Sequence, residues 1–329
     1  MQRRKFIELL GAGAVWNFAT LRCGLAQSGK VYRIGTLIPG PPITPADPRG
    51  KLLIKGLADR GFVLGKNLAF EAQSAIGKPG QITQLMQELK AKNIDVVVTV
   101  GYPAAAAAKA SGVATVIASG SGDPVTTGLV DSLARPGGTV TGIADDSAAL
   151  STKRLQLLKA MAPQLKKVAM LWNRDDLGMS QRYQASAKAA GELGVTVLAL
   201  GVRQPDDFID AFAAMDKEAP DGILMVSDSL TILNRKRVID YAAAHRLPAI
   251  YESDAIARDG GLMSYGADAK ESFDRAAALA VRIFKGERPA DLPVEQPTRY
   301  LFVINMKTAK AMNLAVPNTV AALADEVIE

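Results

Sequence analysis

The chain has 329 residues, 48% of them hydrophobic and 22% charged, and carries a net charge of +6 with one cysteine and one histidine. This length predicts two domains of roughly 150 residues each, and the apolar fraction is ample for two cores. With Cys23 and His245 alone of their kinds, disulfides, thiolate or multi-histidine metal sites and Cys-His nucleophilic chemistry are excluded.

The chain opens on Arg3-Arg4-Lys5, followed by a mostly apolar stretch from Phe6 to Leu21 that Glu8 and Asn17 interrupt. Gly24-Leu25-Ala26 then offers the small-x-small pattern cut by signal peptidase, so residues 1–26 are expected to be a signal peptide. Arg3-Arg4-Lys5-Phe6-Ile7 also has the form of a twin-arginine signal, compatible with export in the folded state. Cys23 follows Arg22 rather than a small residue, which argues against lipid attachment. The leader falls short of the roughly 20 apolar residues of a membrane span, and no later run qualifies, so the mature chain is expected not to span a membrane. Cleavage removes four Lys/Arg and one Glu, hence three of the six net positive charges, and leaves +3 over 303 residues. With no long basic run, nucleic acid or membrane-surface binding has no electrostatic support.

From Val31 onward, strand and helix patterns alternate. Val31–Ile38 reads as a buried strand, and a Pro-rich loop from Pro39 to Pro48 follows. Leu52, Leu53, Leu57 and Phe62 then fall at helical spacing. Leu68–Glu71 is a second strand, and Ile82, Leu85, Met86 and Leu89 mark one helix face. The nearly all β-branched run Ile94–Val100 predicts a parallel strand buried on both faces. Pro103 suits the first turn of a helix, and the alanines Ala104–Ala108 would make it slim enough to pack closely on a sheet. Thr115–Ala118 is the next strand.

The same order recurs: strand Lys167–Trp172, helix 178–193, strand Val195–Leu200, helix Phe208–Met215, strand Gly222–Val226, helix Asn234–His245, strand Pro248–Tyr251. Counterparts sit at similar offsets, 134 from Arg33 to Lys167, 126 from Asp95 to Asp221 and 133 from Thr115 to Pro248. Two βαβ-rich halves of one plan therefore lie in tandem. A tail follows the second half: strand Gly261–Tyr265, helix 269–286, a Pro-broken link Pro289–Pro297, strand Tyr300–Ile304 and a short helix from Lys307. Such a tail suits a chain that passes between two lobes more than once, making a hinge of several strands.

In open parallel sheets, ligands bind beyond the carboxyl ends of the strands. In the first half those ends carry Thr99, Gly101, Tyr102, Ser119, Ser121 and Asp123; in the second, Asn173, Ser227, Asp228, Tyr251 and Glu252. The first lobe offers hydroxyls and the free N–H groups of a helix start near Ala104–Ala106, which suit a carboxylate. The second offers carboxylates, which suit an ammonium group or hydroxyls. Together they would hold a zwitterion such as an amino acid, with Tyr102, Tyr251 and Tyr265 available to pack on its side chain. Structural roles compete for the same residues, since Ser227, Asp228 and Ser229 are good helix caps and Asp123 before Pro124 is a good turn former. Replacing Asp123 and Asp228 is expected to weaken binding sharply.

Signatures of an enzyme are lacking. His245 precedes Leu247-Pro248 at a predicted helix end, where a histidine meets the last carbonyls. No GxxxxGK[ST] occurs, and Gly35 and Gly40 are too far apart for a dinucleotide fingerprint.

The chain resembles a family, the ABC transporter substrate-binding proteins of type I periplasmic-binding fold that include bacterial tryptophan/tyrosine-binding proteins. The likeness covers nearly all of residues 31–329 and rests above all on Leu133-Ala134-Arg135-Pro136-Gly137-Gly138 and Asp291-Leu292-Pro293-Val294-Glu295-Gln296-Pro297. Shorter matches are Arg33-Ile34-Gly35, Gly65-Lys66-Asn67-Leu68, Asp123-Pro124-Val125, Lys153-Arg154-Leu155 and Gly260-Gly261-Leu262-Met263-Ser264-Tyr265-Gly266. The resemblance implies an α/β fold of two Rossmann-like lobes with parallel sheets, joined by a three-segment hinge. It divides the chain into an N-terminal lobe, 31–146 plus 267–290, and a C-terminal lobe, 147–266 plus 291–329. It implies a periplasmic solute-binding protein with no cofactor and no metal, monomeric, closing on a small carboxylate-bearing solute and delivering it to an ABC permease and its ATPase. By the same likeness Thr99, Gly101, Ser119, Ser121 and Asp123 would touch the ligand from one lobe, and Asn173, Ser227, Asp228 and Glu252 from the other. A ligand-binding partner of a membrane sensor, or a doubly wound α/β enzyme, are the alternative readings.

Overall fold

The β-branched run expected near residue 97 forms strand in the computed structural model, which describes residues 30–144 and 147–329. The expected signal peptide lies outside the described residues. The first lobe comprises β1 (Tyr32–Ile38), α1 (Pro48–Ala58), β2 (Leu68–Ser74), α2 (Ile82–Ala91), β3 (Val96–Val100), α3 (Tyr102–Ser111), β4 (Thr115–Ser119) and β5 (Val140–Gly142). The second begins with α4 (Ser147–Met161), β6 (Lys167–Asn173), α5 (Leu177–Glu192), β7 (Thr196–Val202), α6 (Asp207–Glu218) and β8 (Gly222–Met225). It continues through α7 (Ser229–Leu233), α8 (Arg235–His245), β9 (Ala249–Tyr251), α9 (Asp254–Arg258) and β10 (Met263–Ala267). The tail is α10 (Ala269–Phe284), β11 (Tyr300–Asn305), α11 (Met306–Ala311), α12 (Asn318–Ala321) and β12 (Glu326–Ile328).

The first sheet runs β2-β1-β3-β4-β5, all parallel. The second runs β12-β11-β10-β9-β8-β6-β7, so its part β7-β6-β8-β9-β10 repeats the first sheet strand for strand. Only β11 runs antiparallel to its neighbour β10. The repeat extends to side chains. Asp95 accepts the N–H of Arg33 at 2.7 Å, and its counterpart Asp221 accepts the N–H of Lys167 at 2.9 Å, each tying the start of a central strand.

Helices cover both faces of each sheet. The alanine-rich α3 buries Ala104, Ala105 and Ala108 against the first sheet, as a slim helix should. Tail helix α10 returns to the first lobe, where Phe273, Ala276, Ala277 and Ala280 join Ile34, Leu57 and Val96 in one core. Arg60 of the α1 end holds it there through a two-pronged pair with Asp274 at 2.8 and 2.9 Å.

The chain therefore crosses between lobes after Ala144, between β10 and α10, and again before β11. The last crossing falls later than expected at Asp291. Leu292 and Val294 are buried in first-lobe cores, Thr141 Oγ1 donates to the carbonyl of Leu292, and Glu295 pairs beside Ile143 next to β5. The apolar side chains of the Pro-broken link hold it to the first lobe up to Glu295. Near the crossings, Glu271 accepts the N–H groups of Thr298 and Arg299, and Arg275 bridges Glu295 and the carbonyl of Gln296. Among the described residues, no helix is long and apolar enough to cross a membrane.

Candidate functional site

The carboxyl ends of the two sheets face a common cavity of about 770 Å³, inside the roughly 300–1,000 Å³ typical of small-molecule sites. On the first-lobe side, β3 ends at Gly101, whose φ of +88° lets the chain turn from strand into α3. Its N–H donates to the carbonyl of Ser119 at 3.0 Å, clamping together the ends of β3 and β4. No side chain caps α3, and its start lies beside the cavity-lining Gly101, Pro103 and Ser119, though Pro103 itself carries no N–H.

The second lobe lines the cavity with charge. After β6, Asn173 donates from Nδ2 to Asp228 at 2.6 Å, while Asp228 caps α7 by accepting the N–H of Thr231 at 2.8 Å. Asp176 caps α5 through the N–H of Met179 at 3.2 Å and is only 4% exposed. Burial, and then the nearby charge of Asp228, push the Asp176 carboxyl up to about 7. Neither aspartate forms an ion pair among the described residues. Ser227 also lines the cavity, and its buried Oγ has no hydrogen-bond partner there. A buried polar atom left unmatched costs about 1–3 kcal/mol, a cost that an ordered water would relieve.

Beneath these groups lies a buried ion triad. Glu252 accepts from Arg154 of α4 at 2.7 Å, from Arg182 of α5, and from the N–H of Ser227 at 3.1 Å. Arg154 also donates from Nε to the carbonyl of Tyr265 in β10, at 2.7 Å. Burial acts to raise the Glu252 carboxyl, but the two guanidiniums and the Ser227 N–H outweigh it and hold it below its ordinary value.

Of the expected site residues, Gly101, Ser119, Asn173, Ser227, Asp228 and Glu252 line the cavity. Thr99, Tyr102, Ser121, Asp123, Tyr251 and Tyr265 do not. Thr99 is fully buried below the strand end. Tyr102 packs on the Ala105–Ile117 core at the far side of α3. Ser121 is buried under the start of α5. The side chain of Tyr251 points from β9 into the core with Phe208 and Met225, one residue out of phase with Glu252. Tyr265 stacks on Tyr300 with ring centroids 6.0 Å apart.

Asp123 is exposed and spends its carboxylate on its own turn, accepting from the N–H of Val125 at 2.9 Å and from Thr126 Oγ1 at 2.9 Å. Asp123→Ala should therefore change ligand affinity by no more than about twofold, the scale of an uncoupled surface substitution. A tenfold loss in calorimetric titration would return Asp123 to the site. Sequence reasoning did not single out Arg154 or Arg182 as cavity residues; Asp176 falls in the strand-end stretch Asn173-Arg174-Asp175-Asp176, from which only Asn173 was singled out. His245 sits at the end of α8 with Nδ1 3.0 Å from the carbonyl of Tyr241, remote from the cavity lining. Among the described residues, no group of three or more His, Cys, Asp or Glu is placed to hold a metal ion.

Two duplicated α/β lobes, with a largely apolar cavity between their strand ends into which charged groups are set, define a two-lobed, cleft-type binding protein of type I periplasmic-binding fold. Residues 47–328 match the family described as ABC transporter substrate binding protein. The chain belongs to that family, whose members bind substrate rather than transform it. It is 25% identical over 290 residues to a tyrosine-binding protein of Clostridioides difficile (strain R20291), covering 88% of this chain and 82% of that one. Among solved structures, it is similar to a Streptococcus pneumonia ABC domain in complex with L-Trp, with a TM-score of 0.80, 24% identity, and 90% and 99% of the two chains covered. It is also similar to a ligand-free, open substrate binding protein with adhesive properties from Clostridium difficile, with a TM-score of 0.65, 23% identity, and 91% and 99% covered.

Proposed function

We propose that the cavity takes a free amino acid with an apolar or aromatic side chain, and that the protein works in the periplasm, handing this solute to the permease and ATPase of an ABC importer. The observation that carries the reading is the Asp176–Asp228 pair, two cavity carboxylates that form no direct ion pair among the described residues, with the charge of Arg182 offsetting only part of the burial of Asp176. A ligand ammonium group would add positive charge directly against this pair. Across the cavity, the uncapped start of α3 and Ser119 offer donors for a carboxylate. Two relatives, a tyrosine-binding protein and a domain in complex with L-Trp, take amino acids with both groups and a ring.

In this reading, ligand bridges donors of one lobe to carboxylates of the other, and so favours the closed arrangement by contacts made only there. The leader sequence supports export, and the family supports a transporter partner. Mass spectrometry of solute released from natively purified protein, followed by calorimetry with L-tyrosine, L-tryptophan and benzoate, tests it. Amino acids are expected to bind and benzoate, which lacks an ammonium group, is not. Benzoate binding as tight as that of the amino acids would overturn the zwitterion reading.

A further inference from the structure

Among the described residues, glycines stand at three contacts between the lobes. At two, the opposing atoms belong to side chains. A Cβ on Gly40 would come 2.9 Å from Ser229 Oγ, and one on Gly77 would come 2.8 Å from Leu233 Cδ1. At the third, backbone meets backbone. A Cβ on Gly178 would lie 2.7 Å from the carbonyl oxygen of Ser121, 2.9 Å from its carbon and 3.1 Å from the nitrogen of Gly122. Side-chain ends can swing aside, whereas two backbones can only move apart.

Gly178 has no local reason to be glycine. It lies in the first turn of α5, its φ is outside the left-handed region, and alanine is favoured over glycine in a helix. What the position lacks is room, and the first lobe takes that room. Ser121 is wholly buried on its loop, and Gln181, one turn further along α5, keeps its Oε1 3.1 Å from where a Cβ on Gly122 would stand. The same helix is capped by Asp176, so a wedge at the seam also displaces the ligand-facing carboxylate.

We propose that the Gly122–Gly178 contact is the seat on which the lobes close, and that the bare Cα of Gly178 sets how far the cleft shuts and hence how tightly ligand is held. The inference rests on the reading of the cavity as a site that closes over its ligand. Gly178 acts by positioning and touches no ligand itself.

Its test reads closure without ligand. Gly40 and Ser229 are suited to a reporter, since a Cβ on Gly40 would lie 3.3 Å from Ser229 Cβ, close to the roughly 3.5–4.5 Å of a disulfide. In a Cys23→Ser background, the pair Gly40→Cys and Ser229→Cys should bridge under mild oxidation, followed by thiol titration. Adding Gly178→Ala should slow bridging at least tenfold without lowering the melting temperature, while Gly191→Ala, which faces open space in the same helix, should leave the rate unchanged. Equal rates with and without Gly178→Ala, a parent that never bridges, or a lower melting temperature for Gly178→Ala would each overturn the proposal. A parent that bridges as expected but binds no amino acid would sink the ligand reading and leave the seat standing.

Discussion

An Asp176→Asn protein is expected to bind its amino acid ten- to a hundredfold more weakly than the parent and yet, without ligand, to melt at a higher temperature at pH 8. The two effects have one cause. The Asp176 carboxyl is pushed from 3.8 up to about 7 by burial and by Asp228, so its ionised form is disfavoured in the folded protein. The sign follows from linkage. Below the unfolded value both states hold the proton and nothing is lost. As pH rises toward 7 the unfolded state ionises and the folded state does not, so stability falls, and above 7 the full cost persists. That cost is on the order of 4 kcal/mol, at about 1.4 kcal/mol per pH unit. Asparagine removes the charge but keeps the helix cap, for which it is as good as aspartate.

Ligand reverses the balance. An ammonium group against Asp176 restores the ionised form, and a hydrogen bond to a charged group contributes about 1.5–3 kcal/mol. Below pH 7 the empty site holds a proton that binding must expel, so affinity should fall as the solution is acidified from 7 toward 5. Calorimetric titrations between pH 5.5 and 8.5, with thermal melts on the same samples, check both halves. Parent-like, pH-independent binding by Asp176→Asn would remove this carboxylate from the ligand's reach.

The architecture was legible because duplication leaves its trace at many positions at once. Strand runs at matched offsets become sheets of matched order, and even the Asp95 and Asp221 staples recur. The strand ends also marked where polar groups would gather. What the strand-end rule could not resolve was phase and partner. Tyr251 and Glu252 are neighbours in sequence, yet strand alternation sends one into the core and the other toward the cavity. Asp123 and Asp228 both invited a local role, turn or cap, beside a ligand role, and only packing distinguishes the exposed turn of Asp123 from the cap of Asp228 at the cavity. The tail misled for a similar reason: Leu292 and Val294 look like linker residues until the first-lobe cores they fill are present.

Glu252 is where the expected role and the structure differ most in consequence. As a ligand contact, its loss would weaken binding and leave the fold alone. As the centre of a triad, its loss should unfold much of the second lobe's support. The side chains of Arg154, Glu252 and Arg182 are only 4%, 6% and 9% exposed, so water cannot replace a missing partner. Removing the carboxylate takes from both guanidiniums a shared buried counter-ion, and breaking a buried pair in this way costs about 3–5 kcal/mol. The anchorage is shared, because Arg154 comes from α4, Arg182 from α5 and Glu252 from just past β9, and Arg154 also reaches the carbonyl of Tyr265 in β10. Glu252→Gln is therefore expected to lower unfolding free energy at pH 7 by that amount in guanidinium titrations. The folded-state carboxyl lies below its ordinary value of 4.5, so the parent's advantage is present above that value and is lost as pH falls through the depressed one. The gap between the two proteins should then narrow only in acid. A Glu252→Gln protein as stable as the parent at pH 7, but unable to bind an amino acid, would assign the carboxylate to the ligand and leave the triad incidental.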